Sequence, residues 1–466
     1  MRALTFARLA KANRRHSTHK NSFRLIAIAA GLALVQLTAT AQNRSILPAK
    51  NPSGVAATLT TSGNFDFNNP FFKSLGTNGR SCVTCHQPSE GWTVSAAGVQ
   101  KRFKQSKGTD PIFRAVDGAN CPTNATPGDA AAFSQLLNKG LIRIGMPLPA
   151  NAEFSIEVTA DPYNCSSPTA ISVYRRPLPA TNLKFLSAVM WDGRETAAGK
   201  TIPEDLAQQA IDATLGHAQA AAAPDAATAD AIRDFEINLF TAQVVDKRAG
   251  ALFADGANGG PVALSQQEFF LGINDPLGGN PSGATFDSNI FNLFSAWADS
   301  RNGDEDQQQA RAAIARGEQL FNTLVIPITG VGGLNDALGE PVIMGTCGTC
   351  HDSPNAGDHS LSVPLNIGVT DASRRTPDQP LFTLINNTTG ERIQTTDPGR
   401  AMVSGKWKDI SRFKGPILRG LAARAPYFHN GSAATLLDVI NFYNDRFTLG
   451  LSEQEKSDLV AFLRSL

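Results

Sequence analysis

The chain carries Cys-x-x-Cys-His twice, as Cys82-Val83-Thr84-Cys85-His86 and Cys347-Gly348-Thr349-Cys350-His351, and these copies use four of its six cysteines. Two thiols one helical turn apart, followed at once by an imidazole, suit attachment of a porphyrin through both of its vinyl groups, with the histidine beneath the iron. A lone Cys-x-x-Cys also serves dithiol chemistry or half a zinc site. Repetition of the whole pattern, histidine included, favours two covalently bound haem c groups over both. It also constrains the fold, because a porphyrin supplies much of the core of a small helical domain.

Residues 1–41 read as an export leader. Arg2, Arg8, Lys11, Arg14, Arg15, Lys20 and Arg24 precede an apolar run over 25–37, and Ala39-Thr40-Ala41 fits a small-residue cleavage site. The run is short for a membrane span, so the expectation is a periplasmic protein that does not span the membrane after cleavage. In an oxidising compartment the remaining pair, Cys121 and Cys165, is expected to form a disulfide. The formal net charge of +1 is misleading. With the seven basic leader residues set aside, the remainder has six more acidic than basic side chains. That balance lacks the basic stripe of a nucleic-acid binder and suits a basic protein partner.

The fold class expected from the pattern is mainly α: two cytochrome c-like haem domains with long loops, an N-terminal one over 42–305 and a C-terminal one over 306–466. Ile232, Phe235, Leu239 and Phe240 share a helical face over 228–243. Helices are also expected over 310–321, from Thr435 through Phe447, and after the capping box Ser452-Glu453-Gln454-Glu455. A further capping box reads at Ser265-Gln266-Gln267-Glu268. The only alternating strand pattern of note covers 154–158, and Gly/Asp/Asn-rich 250–305 reads as the interdomain connection.

Several stretches carry a resemblance. They are Met190-Trp191-Asp192-Gly193-Arg194, Arg316-Gly317-Glu318-Gln319-Leu320-Phe321, Phe413-Lys414-Gly415-Pro416-Ile417-Leu418-Arg419-Gly420 and Ala425-Pro426-Tyr427-Phe428-His429-Asn430-Gly431-Ser432. In this order, with both haem motifs, the chain resembles the bacterial di-haem cytochrome c peroxidase and MauG family. The resemblance implies His86 and His351 as proximal iron ligands and Cys82, Cys85, Cys347 and Cys350 as thioether anchors. It implies Tyr443 as distal ligand of the second haem, with Met402 as runner-up and Met146, Met190 and Met344 completing the soft candidates. Trp191 becomes the indole between the two haems, and His429 a contact at the second haem's edge. His359 reads as loop.

Over the first haem the family places a Gln and, ten residues later, a Glu that acts as acid and base. Gln209 answers the first, but the second position reads Gln219, which cannot shuttle a proton. His217, two residues earlier, can do so, or can instead coordinate the iron. Calcium between the domains is a further family feature, through main-chain oxygens matching Arg424 and Pro426, although the matching asparagine position reads Arg176.

The leading expectation is a peroxidase that reduces hydrogen peroxide with electrons from a small c-type cytochrome or cupredoxin. Two alternatives stand beside it: a MauG-like enzyme that uses high-valent haem iron to oxidise Trp or Tyr of a partner protein, and a non-enzymatic di-haem electron carrier.

Overall fold

The structure is a computed structural model that describes residues 45–358 and 363–466. The expected leader over 1–41 and His359 lie outside these residues. Among the described residues eleven strands form four antiparallel sheets. Strands β1 (Ile46–Asn51), β2 (Gly54–Thr60), β6 (Leu239–Asp246) and β7 (Gly250–Ala251) make one sheet in that order. Strands β3 (Ile142–Pro147) and β5 (Ala170–Arg175) form a ribbon. In a third sheet β10 (Leu381–Asn386) lies between β4 (Phe154–Ala160) and β11 (Arg392–Thr395), joining segments far apart in the chain. Strands β8 (Ile326–Thr329) and β9 (Val342–Gly345) pair just ahead of the second motif.

The expectation of a mainly α protein is therefore corrected. A strand shows period-2 alternation only when one face is buried and the other solvated. β4 alternates in that way and was legible. β2, β5 and β6 bury consecutive residues and have no such pattern to read. β6 also cuts short the helix expected over 228–243. Asp225 caps that helix, which runs Ala226–Ile237 with Ile232 and Phe235 buried, whereas Leu239 and Phe240 belong to the strand. The serine of the 265–268 pattern ends a short helix, Pro261–Ser265, rather than starting one.

Among the described residues six helices of eleven residues or more complete the framework: α1 (Ala96–Ser106), α2 (Ile202–Gly216), α3 (Ala226–Ile237), α4 (Glu305–Thr323), α5 (Leu436–Phe447) and α6 (Glu453–Arg464). Gly317 lets α4 and α6 touch, since a Cβ there would lie 2.0 Å from the Asp458 carbonyl oxygen. Phe291, Phe294 and Trp297, from the Gly-rich connection, pack with Phe321 and Phe462 in the core of this pair. Residues 45–466 form one compact unit by their contacts. Among the described residues no helix is long and apolar enough to cross a membrane. Cys121 and Cys165 are joined as a disulfide, with Cα atoms 5.5 Å apart.

Candidate functional site

Both motifs fold into the same turn. The Ser81 amide donates to Thr84 Oγ1 at 3.0 Å, and the amides of Cys85 and His86 donate to the Cys82 carbonyl at 3.1 and 3.0 Å. In the second copy Thr346 donates to Thr349 Oγ1 at 2.9 Å, and Cys350 and His351 donate to the Cys347 carbonyl at 3.3 and 2.9 Å. None of these four cysteines is in a disulfide.

Each histidine is oriented through Nδ1, His86 toward the Trp92 carbonyl and His351 toward that of Gly357, both at 3.0 Å. A carbonyl only accepts, so Nδ1 carries the hydrogen and Nε2 keeps the lone pair a metal requires. Burial pushes His86 down to about 4, which keeps the imidazole neutral. The sheet holds this arrangement from behind, because the Trp92 indole donates to Thr58 Oγ1, and Thr58 meets Thr241 across β2 and β6.

Each motif opens onto its own cavity, about 1600 Å³ at the first and about 1820 Å³ at the second, mouths included. Trp191 lines both. Its indole donates to the Arg176 carbonyl at 2.8 Å, and its backbone carbonyl accepts from the Lys414 amide. The neighbouring Asp192, fully buried, binds Arg175, which also forks onto Asp397.

Around this shared wall stand four cations. Arg176, Lys414 and Arg424 line both cavities and Arg419 lines the first. Arg176 Nη1 and Arg419 Nε and Nη1 are buried without a hydrogen-bond partner among the described residues. Burial pushes Arg176 and Arg419 down to about 9 and Arg424 to about 10, and it lowers Lys414 as well. Stranding several cations in a low-dielectric wall is costly unless anions arrive to meet them. A haem carries two propionates, anions of the kind that would meet these buried cations. Thiol and imidazole placement and these cations fit a haem at each motif. Among the described residues no group of three His, Cys, Asp or Glu side chains could hold a metal ion.

In the first cavity Gln209 and His217 stand two turns apart on one face of α2 and its C-cap, and both line the space. His217 is 41% exposed, and its Nδ1 is hydrogen-bonded to Asp117 Oδ2. Gln219 is exposed and is not among the lining residues. It takes a hydrogen bond from Thr77 to its carbonyl and one from Asn78 to its side chain.

In the second cavity Tyr443 projects from α5 into an apolar cluster with Cys347 and Cys350, and burial pushes its phenol up. His429 is stacked on Phe413 at 4.0 Å and lies 6.1 Å from the Trp191 ring. Burial lowers it to about 4, and its Nε2 has no hydrogen-bond partner among the described residues. Of the methionines, Met402 and Met146 sit in a core cluster, Met344 is exposed on β9, and Met190 lines the first cavity.

The sequence alone singled out neither Asp117 nor Arg80, and it pointed to Arg176 and Arg424 only for calcium and to Lys414 and Arg419 only within a resembling stretch. The cations had a signal, since Arg175-Arg176-Pro177 and Lys414-Gly415-Pro416 place charge inside otherwise apolar, Pro-rich runs. Asp117 had none, lying in a loop one hundred residues from His217.

Residues 412–449 match a family model described as RoxA-like, cytochrome c-like. The chain is 36% identical over 132 residues to the cytochrome-c peroxidase IdrP2 of Denitromonas iodatirespirans, covering 26% of this chain and 36% of that protein. It is 33% identical over 122 residues to the cytochrome c peroxidase Ccp of Escherichia coli strain K12, covering 26% of this chain and 22% of that protein. The chain thus spans about a third or less of the length of these curated relatives. Among solved structures it is similar to a MauG-like protein associated with microbial copper homeostasis, at TM-score 0.40 and 15% identity, covering 91% of this chain and 95% of the other.

Proposed function

We propose, from the premise that this chain is a relative of the bacterial di-haem cytochrome c peroxidase and MauG family, that it is a periplasmic peroxidase carrying two covalently bound haem c groups. Its substrate is hydrogen peroxide, and its electrons come from a small c-type cytochrome or cupredoxin. The observation that carries this reading is the pair of large cavities, each opened by a Cys-x-x-Cys-His turn and sharing Trp191 as a wall.

When bound, the haems supply iron-centred redox chemistry. The chain's own residues do the rest. Cys82 and Cys85 anchor the first group and Cys347 and Cys350 the second, with His86 and His351 offering Nε2 to the irons. His217 Nε2 would take the proton from one peroxide oxygen and return it to the other, which would leave as water, while two electrons from the donor protein and two protons from solvent would carry the remaining oxygen to a second water. Gln209 orients the substrate by hydrogen bonding, and Gln219, exposed and neutral, takes no part in proton transfer. Trp191 relays electrons between the cavities, and His429 packs at the edge of the second. Tyr443 would help hold the second haem, and its place among Cys347 and Cys350 favours a second reading, a MauG-like oxidation of Trp or Tyr on a partner protein. Arg176 and Arg424 repel one another near the expected calcium position, so the enzyme works without calcium.

The test is peroxide consumption by the holoprotein with reduced small cytochrome c, with and without the chelator EGTA. Catalytic turnover insensitive to EGTA is expected. Absence of peroxide consumption by both the oxidised and the reduced protein contradicts the proposal and leaves the electron-carrier alternative.

A further inference from the structure

Asp117 lies at the centre of a buried arrangement that the peroxidase reading does not use. Its Oδ2 accepts from His217 Nδ1, and its Oδ1 accepts from Arg80 Nη1. Arg80 is itself 3% exposed and is fixed by the carbonyls of Pro111 and Ile112, both at 2.8 Å, and of Arg114 at 3.3 Å. The Asp117 carbonyl accepts from the Arg143 amide at 2.8 Å, which holds the loop to β3. The His217 carbonyl accepts from Asn78 Nδ2 at 2.8 Å, so the segment leading into the first motif also grips the histidine's backbone. Burial pushes the Asp117 carboxyl up, but the hydrogen bond and charge of His217, together with Arg80, outweigh it and hold the group below its ordinary value.

The titratable and charged groups facing His217 are therefore Asp117 from the loop, Arg80 from the segment before the motif, and His86 of the motif itself. An ionised carboxylate on Nδ1 forces the hydrogen onto that nitrogen. Nε2 is then left as the acceptor toward the cavity that His217 lines. The same carboxylate stabilises the imidazolium once Nε2 has taken a proton.

We propose that Asp117, clamped by Arg80, is the positioning residue that sets the tautomer and orientation of His217 and so gives the first cavity its acid–base group. This rests on the peroxidase reading, because it deepens the part assigned there to His217. It also explains how the cavity can work with a glutamine at position 219, since the proton-transferring group is supplied two residues earlier and oriented from a different loop.

The test uses the oxidised holoprotein and hydrogen cyanide, which must give up its proton to a nearby base as it binds ferric haem. Cyanide association rates across pH 5–9 are measured for the parent protein, Asp117→Asn and His217→Ala, beside kcat/KM for peroxide. Asp117→Asn is expected to slow cyanide association at least tenfold and to displace the pH limb of the profile, while His217→Ala slows it similarly and abolishes the limb. A parent-like rate and pH limb in Asp117→Asn, with His217→Ala slow, overturns the role of Asp117 alone. Parent-like behaviour in both variants overturns the acid–base assignment of His217 as well. A first haem that is low-spin in the parent and becomes high-spin in His217→Ala overturns it too, because His217 is then an iron ligand. Should Asp117→Asn fail to incorporate two haems, Asp117→Glu is read in the same assay. A slowed rate with a displaced limb supports the proposal, and a parent-like profile overturns it.

Discussion

Each motif histidine is oriented at Nδ1 by a main-chain carbonyl. Residue chemistry divides the two cavities: a half-exposed imidazole tied to Asp117 lines the first, and a buried phenol lines the second. A phenolate ligand favours ferric over ferrous iron. Tyr443→Phe is accordingly expected to abolish the low-spin ferric signal of the second haem and raise its midpoint potential. An unchanged optical spectrum and potentiometric titration would remove Tyr443 as ligand. Glu236, buried in the first cavity with no partner for Oε2 among the described residues, is pushed by burial from 4.5 up to about 8. Between those values the folded protein keeps a proton that the unfolded chain has released, so stability falls as pH rises, by up to about 1.4 kcal/mol per pH unit. Thermal melts of the Glu236→Gln holoprotein at pH 5, 6.5 and 8 should show a flatter slope than the parent and a higher Tm at pH 8. An identical slope would show that Glu236 does not titrate in this window.

Among the elements, α5 links local sequence to the site most directly. Thr435 Oγ1 accepts from the Asp438 amide at 3.1 Å, and Asp438 accepts in return from the Thr435 amide at 2.8 Å, so the helix that carries Tyr443 starts from a reciprocal cap. Thr435→Ala is expected to cost about 1 kcal/mol, read as a lower denaturant midpoint at unchanged slope. A parent-like midpoint would mean that packing alone sets the start of α5. That cap, the Ser452 cap of α6 and both haem turns were legible because their signals lie within a few residues of one another. The helix expected over 228–243 ran too long because Leu239 and Phe240 continue the apolar spacing while the chain turns into β6. β2, β5 and β6 were hidden by two-sided burial, and no local spacing announces that β10 pairs with β4 more than two hundred residues away.

For the molecule as a whole, function depends on what the fold brings to the wall between two cavities. Arg176 and Trp191 come from the first half of the chain and Lys414, Arg419 and Arg424 from the second, and their convergence follows from tertiary pairing rather than from any one motif. Resemblance made Trp191 visible from its Trp-Asp-Gly-Arg context. The cations and Asp117 became visible only once distant segments stood together. On the proposed function, one porphyrin site is open to a small oxidant while its partner is capped. The most direct measurement is the electron paramagnetic resonance spectrum of the oxidised holoprotein, taken before and after one equivalent of hydrogen peroxide. One high-spin and one low-spin ferric signal, with the high-spin signal lost on addition, is the predicted result. Two low-spin signals that peroxide leaves untouched would contradict it.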